Sequence, residues 1–77
     1  MVTMAIERLE WLKWQLAQGW RVESPVIERT LYYSLPGQES TFEFILRHEQ
    51  GCQVVAIPDC PELHTFIKAH ALAVASA

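Results

Sequence analysis

The chain is poor in the residues that announce specialised chemistry. Only two cysteines, Cys52 and Cys60, occur among 77 residues, too few for the disulfide frameworks that hold many small secreted domains together. Six Lys and Arg against nine Asp and Glu give a net charge of −3. The basic residues are scattered, so the chain offers no cationic stripe to a nucleic-acid backbone or an anionic membrane. Its three glycines lie far apart, and no GxGxxG, GxxxxGKS/T, GxSxG or HExxH pattern occurs, which removes the phosphate cradles and the common hydrolase and metalloprotease signatures. No stretch approaches the ~20 apolar residues that span a bilayer; the longest candidate, Ile67 to Ala77, contains Lys68 and His70. Glu7, Arg8 and Glu10 interrupt the N-terminal apolar residues, unlike a secretory signal. The expectation is a cytoplasmic protein with no nucleic-acid partner, no membrane and no cofactor.

What is present is ordinary globular composition, 51% hydrophobic and 19% charged, enough to bury a core. Residues 1–77 have room for one small α+β domain. A domain near this size is marginal alone, because it buries only about 60% of the surface its unfolded chain exposes. Oligomerisation is a common remedy.

The first helix is expected over Thr3–Gln18, with Thr3 as N-cap and Gly19 as the terminating residue. At about 100° per residue, Ala5, Ile6, Leu9, Leu12 and Leu16 share a core stripe. Arg21 to Glu23 can begin extended. Pro25 interrupts, and Val26–Leu35 reads as a long strand with Leu31, Tyr33 and Leu35 alternating against Thr30, Tyr32 and Ser34. Pro36-Gly37 suits a type II turn. Thr41–His48 alternates again, setting Phe42, Phe44, Leu46 and His48 on one face, and Glu49-Gln50-Gly51 has the form of a three-residue hairpin loop. That loop pairs His48 with Cys52, Leu46 with Val54 and Phe44 with Ala56, and a third strand follows over Cys52–Ile57.

Pro58 ends the strand. Asp59-Cys60-Pro61-Glu62 opens a second helix, with Asp59 as cap, and its core stripe is Leu63, Phe66, Ile67, His70 and Val74 before an alanine-rich end that frays. The expected fold is therefore α+β in the order α-β-β-β-α. It has a three-stranded antiparallel sheet with both helices packed on the face bearing Leu31, Tyr33, Phe42, Phe44, Leu46 and Val54.

That order, and the length, are similar to those of double-stranded RNA-binding domains. Such domains grip phosphates with a lysine-rich start to their second helix, whereas this helix begins with Asp59 and Glu62, which repel a phosphate backbone. Only Tyr32 is expected on the open sheet face, too little for single-strand stacking.

Two candidate sites remain. His48, Cys52 and His70 are expected at one end of the sheet on its core side, the number and types of ligand that a zinc ion or small molecule could use. Cys60 and His64 belong to the other end. Glu28 and Glu43 read as a solvated charge pattern beside Arg47, which keeps that face from aggregating. The second candidate lies on the first helix, where Met4, Trp11 and Trp14 oppose the core stripe and are of the types enriched at protein interfaces. The leading expectation is a non-enzymatic association domain, a homodimer or a partner of another protein, with Met4, Trp11 and Trp14 in the interface. The alternative is a small-ligand or metal-binding protein using His48, Cys52 and His70.

Overall fold

The computed structural model describes residues 2–31, 39–49 and 51–76. Six elements follow one another: α1 (Val2–Ala17), β1 (Arg21–Leu31), β2 (Glu39–His48), β3 (Gly51–Pro58), α2 (Pro61–Ala69) and β4 (Val74–Ser76). The α+β class is as expected, but the sheet has four strands in the order β3-β2-β1-β4. It is mixed, because β4 pairs parallel to β1. The fold thus departs from a three-stranded antiparallel sheet, and from the α-β-β-β-α order, by one C-terminal strand.

Helix α1 ends as a glycine cap dictates. Gly19 takes φ 101°, its N–H donates to the Leu16 carbonyl and the Trp20 N–H donates to the Gln15 carbonyl, the paired bonds of a Schellman motif. Helix α2 ends in the same way without a glycine. Ala71 takes φ 51°, its N–H reaches the Lys68 carbonyl, and the Leu72 N–H reaches the Ile67 carbonyl. The helix therefore stops at Ala69, and Val74 leaves the expected stripe for β4, where it pairs with Val26. The alanine-rich end is tied down by this pairing and by the Val26 N–H donating to the Ala73 carbonyl. At the other end of α2, Cys60 rather than Asp59 is the N-cap, and it makes no side-chain cap bond. Pro61 occupies the first turn, where its missing N–H leaves no bond unmade.

Pro25 does not interrupt β1. The strand passes through it, and the register against β2 shifts between Glu23 and Ile27, the irregularity at which a proline fits inside a sheet. The expected turn at Pro36-Gly37, the strand positions Tyr32, Tyr33 and Leu35, and the side chains of Thr3 and Leu31 lie outside the described residues.

The β2–β3 register corrects the hairpin. His48 pairs with Gly51, Arg47 with Cys52, Ile45 with Val54 and Phe44 with Val55, one residue away from the expected pairing. A one-residue slip turns every side chain of a strand to the other face. Ile57 is accordingly buried beside Phe42, Phe44 and Leu46, with Val55 packed against them, while Val54 is 62% exposed on the opposite face. The core is one cluster in which Ala5, Leu9 and Leu12 of α1 and Leu63 and Phe66 of α2 meet Val26, Phe42, Phe44, Leu46 and Ile57. Both helices thus cover the same face, with the Phe66 and Phe44 rings edge to face at 6.2 Å. Ile6 and Leu16 flank the stripe half-buried, and Gln15 is buried beside it.

The left-handed backbone at Ala71 generates a prediction. An L-residue with a Cβ pays roughly 1–2 kcal/mol in that region, which glycine avoids. Ala71→Gly is expected to leave stability unchanged or raise it by up to ~1 kcal/mol in urea denaturation. A loss of about 1 kcal/mol, the cost of glycine inside a helix, would mean that α2 continues through this position.

Candidate functional site

The sheet end and helix α1 carry the two candidate clusters, and the hairpin register decides the fate of the first. Residues 42, 44, 46 and 48 of β2 alternate onto the helix-covered face, so His48 lies on the core side. It is half-buried, with its ring 5.1 Å from that of Trp20 and its imidazole against Gly19. Cys52 pairs with Arg47 and so lies on the opposite face, exposed. His70 caps the end of α2, exposed, with its ring tilted at 4.3 Å from Phe66. The three side chains therefore do not converge, and no group of three His, Cys, Asp or Glu among the described residues is placed to hold a metal ion. Cys60 is a buried free thiol, and His64 hydrogen-bonds the carboxylate of Asp59, the residue before the N-cap.

A shallow open depression of about 410 Å³ does sit at this end, lined by Gly19, Arg21, Arg47, His48 and Glu49. Arg21 and Arg47 are cross-strand partners, an unfavourable like-charge pair, and Glu23 relieves it by accepting from Arg47 Nε at 2.7 Å. That hydrogen bond, and then the charge of Glu23, hold the Arg47 guanidinium above its usual pKa. Arg29 and Glu43 make a second pair at 2.8 Å on the same open face. Glu28, expected beside Glu43, instead pairs with Phe42 and lies half-buried on the helix-covered face.

The helix cluster stands where the stripe places it. Trp14 is 58% exposed, Met4 46% and Trp11 36%, on a helix whose opposite side is buried. Arg8 shows where this flank points, because its Nη1 donates to the carbonyl of Ala56 at 2.7 Å. Helix α1 therefore lies along β3, the strand at one edge of the sheet. The sequence pattern found the tryptophans but not Arg8, whose partner lies 48 residues away. No helix among the described residues is long and apolar enough to cross a membrane. Comparisons with protein-family models, curated proteins and solved structures found no match.

The two thiols provide a check on the placement. Cys52 should react with a thiol reagent at the rate of an open cysteine, and Cys60, 6% exposed, should react only as fast as the fold opens. One equivalent of zinc should leave the melting temperature unchanged. A rise of several degrees would mean that His48, Cys52 and His70 come together on a metal.

Proposed function

We propose that this chain is a small, non-enzymatic protein-association domain that acts as a homodimer through helix α1. The observation that carries the reading is the exposure of Met4, Trp11 and Trp14 together on one side of a 16-residue helix. Tryptophan is among the residues most often found as an interface anchor, and Trp14 makes no ring contact within the chain among the described residues. The size of the domain argues the same way, since 77 residues bury too small a fraction of their surface to be stable by a wide margin. The reading assigns no catalytic residue, cofactor, nucleic acid or membrane.

A second reading, small-ligand binding at the His48 end of the sheet, is favoured by the depression that Arg21, Arg47 and His48 line. It now rests on His48, Arg21 and Arg47, without Cys52 or His70, in a depression that Glu49 also lines and where Arg47 already pairs with Glu23.

Light scattering at micromolar concentration should give a mass near twice 8.8 kDa. Replacing Trp11 and Trp14 together by glutamine should weaken the dimer by ~2 kcal/mol or more, a rise of about 30-fold in Kd. A chain that stays monomeric at these concentrations and keeps its melting temperature on dilution removes the reading.

A further inference from the structure

We infer that the homodimer is built by antiparallel pairing of β3 with β3 of a second copy, about a twofold axis at Val54. Met4 and Trp11 of the two α1 helices would then close over the join. The inference rests on helix-α1 self-association and specifies how the partner is held.

The hairpin register fixes which groups of β3 are unpaired. In an antiparallel ladder, residues whose N–H and C=O point to the partner strand alternate with residues whose groups point away. His48 pairs with Gly51 across the loop, and the Asp59 N–H donates to the Ser40 carbonyl at the far end of the same ladder. The residues of β3 bonded to β2 are therefore Gly51, Gln53, Val55 and Ile57. Those facing the open edge are Cys52, Val54 and Ala56, with Pro58 closing the row because it has no N–H. The bond from Arg8 to the Ala56 carbonyl fits this assignment, since that carbonyl must point out of the sheet.

Three outward residues spaced by two are self-complementary. Val54 sits opposite its own copy, and Cys52 opposite Ala56 of the second copy, so each chain donates from three amides and accepts at three carbonyls. The Ala56 carbonyl has two lone pairs and can keep Arg8 while accepting a strand amide. No side chain from Gly51 to Pro58 is charged; the charge at this edge is Arg8 of α1, at the Ala56 carbonyl of each copy, two residues from the axis. Natural open edges usually carry a charge, a bulge or a cover that discourages pairing, and here Arg8 covers one carbonyl and leaves the amides of Cys52, Val54 and Ala56. The other edge strand, β4, has three residues among those described.

The helix supplies the rest of the contact. Arg8 marks the flank of α1 that overhangs the open edge, and at about 100° per residue Met4 and Trp11 follow it within roughly 60°. A twofold axis perpendicular to the sheet places both α1 helices on the same side, with these flanks facing each other. At about 150–250 Å² for a large side chain, the exposed parts of Met4, Trp11 and Val54 leave roughly 270 Å² of apolar side chain per copy at the join, Trp14 lying about 120° round the helix from Arg8. That is about a third of the ~800 Å² per partner in a standard interface; the edge backbone and the polar rim supply the remainder. A strand edge alone is too small, and a helix flank alone leaves the amides of β3 unpaired.

The test uses the full chain carrying Cys52→Ser. Adding Val54→Cys places two thiols on the axis, where the Cα atoms of a directly bonded pair stand about 5.5 Å apart, within the ~4.4–6.8 Å that a disulfide spans. Mild oxidation at micromolar concentration should convert most of the protein to a covalent dimer. Lys13→Cys in the same background, on the other flank of α1, should not cross-link. Val54→Pro, which removes an edge amide that β2 does not use, should raise Kd at least tenfold while circular dichroism stays unchanged. A dimer that persists in Val54→Pro, with no cross-link at Val54→Cys but with sensitivity to the tryptophan changes, overturns the edge pairing and leaves helix association standing. A wild-type monomer overturns both.

Discussion

The pairing of His48 with Gly51 is the contact on which the rest of this molecule depends. Because strand side chains alternate, that single pair sends Val55 and Ile57 under the helices and turns Cys52, Val54 and Ala56 outward. It separates Cys52 from His48 by the thickness of the sheet, and so dissolves the cluster that a shift of one residue would have assembled. The same alternation leaves the amides of Cys52, Val54 and Ala56 on the open edge, and aims the Ala56 carbonyl at Arg8 of α1. Core composition, the metal question and the edge chemistry are three consequences of one register.

The sheet is covered on one face only, so its two faces are built differently. The covered face is apolar through Phe42, Phe44, Leu46 and Ile57. The open face alternates Ile27 and Ile45 with the ion pairs Glu23–Arg47 and Arg29–Glu43. Exposed pairs of this kind add about 0–1 kcal/mol each, so their effect is on association more than on stability. They place charge of both signs across the middle of the sheet, where stacking of a second sheet would have to desolvate them. Helix α1 and β3 carry Met4, Trp11, Trp14 and Val54, most of the large exposed hydrophobic side chains among the described residues, with Val74 on β4.

Much of this was legible in the sequence, and what was not has a specific physical cause. Helix α1 and its end were readable because Gly19 supplies the left-handed position a Schellman motif asks for. The end of α2 uses the same motif with Ala71, and alanine signals helix; tertiary pairing of Val74–Ser76 with β1 overrides that propensity. The hairpin register was hidden because both phases of β3 are mostly apolar: Cys52, Val54 and Ala56 satisfy a core face nearly as well as Val55 and Ile57 do. Loop length was then the only guide, and a glycine at position 51 suits a three-residue loop as well as a strand start. The helix-α1 cluster of Met4, Trp11 and Trp14 was visible from periodicity alone, whereas its position beside the β3 edge needed Arg8 and Ala56 in three dimensions.

The asymmetry between the two sheet edges limits the form that association can take. A sheet with two long open edges can add copies head to tail, β3 of one to β4 of the next, and such heterologous contacts run on into filaments unless the rotation closes. Here β4 contributes only three residues, Val74 to Ser76, beside the eight of β3. Among the described residues that is a shorter ladder than β3 offers. The proposed pairing of β3 with itself uses the same residues on both sides and would consume the edge in one step, so such an assembly would stop at two. Arg8 adds to this selectivity, because an incoming strand must share the Ala56 carbonyl with it, and only a partner that also covers the flank of α1 recovers apolar contact in exchange. In the proposed dimer Trp11 and the edge would act as one recognition surface, with the helix deciding which strands the edge accepts.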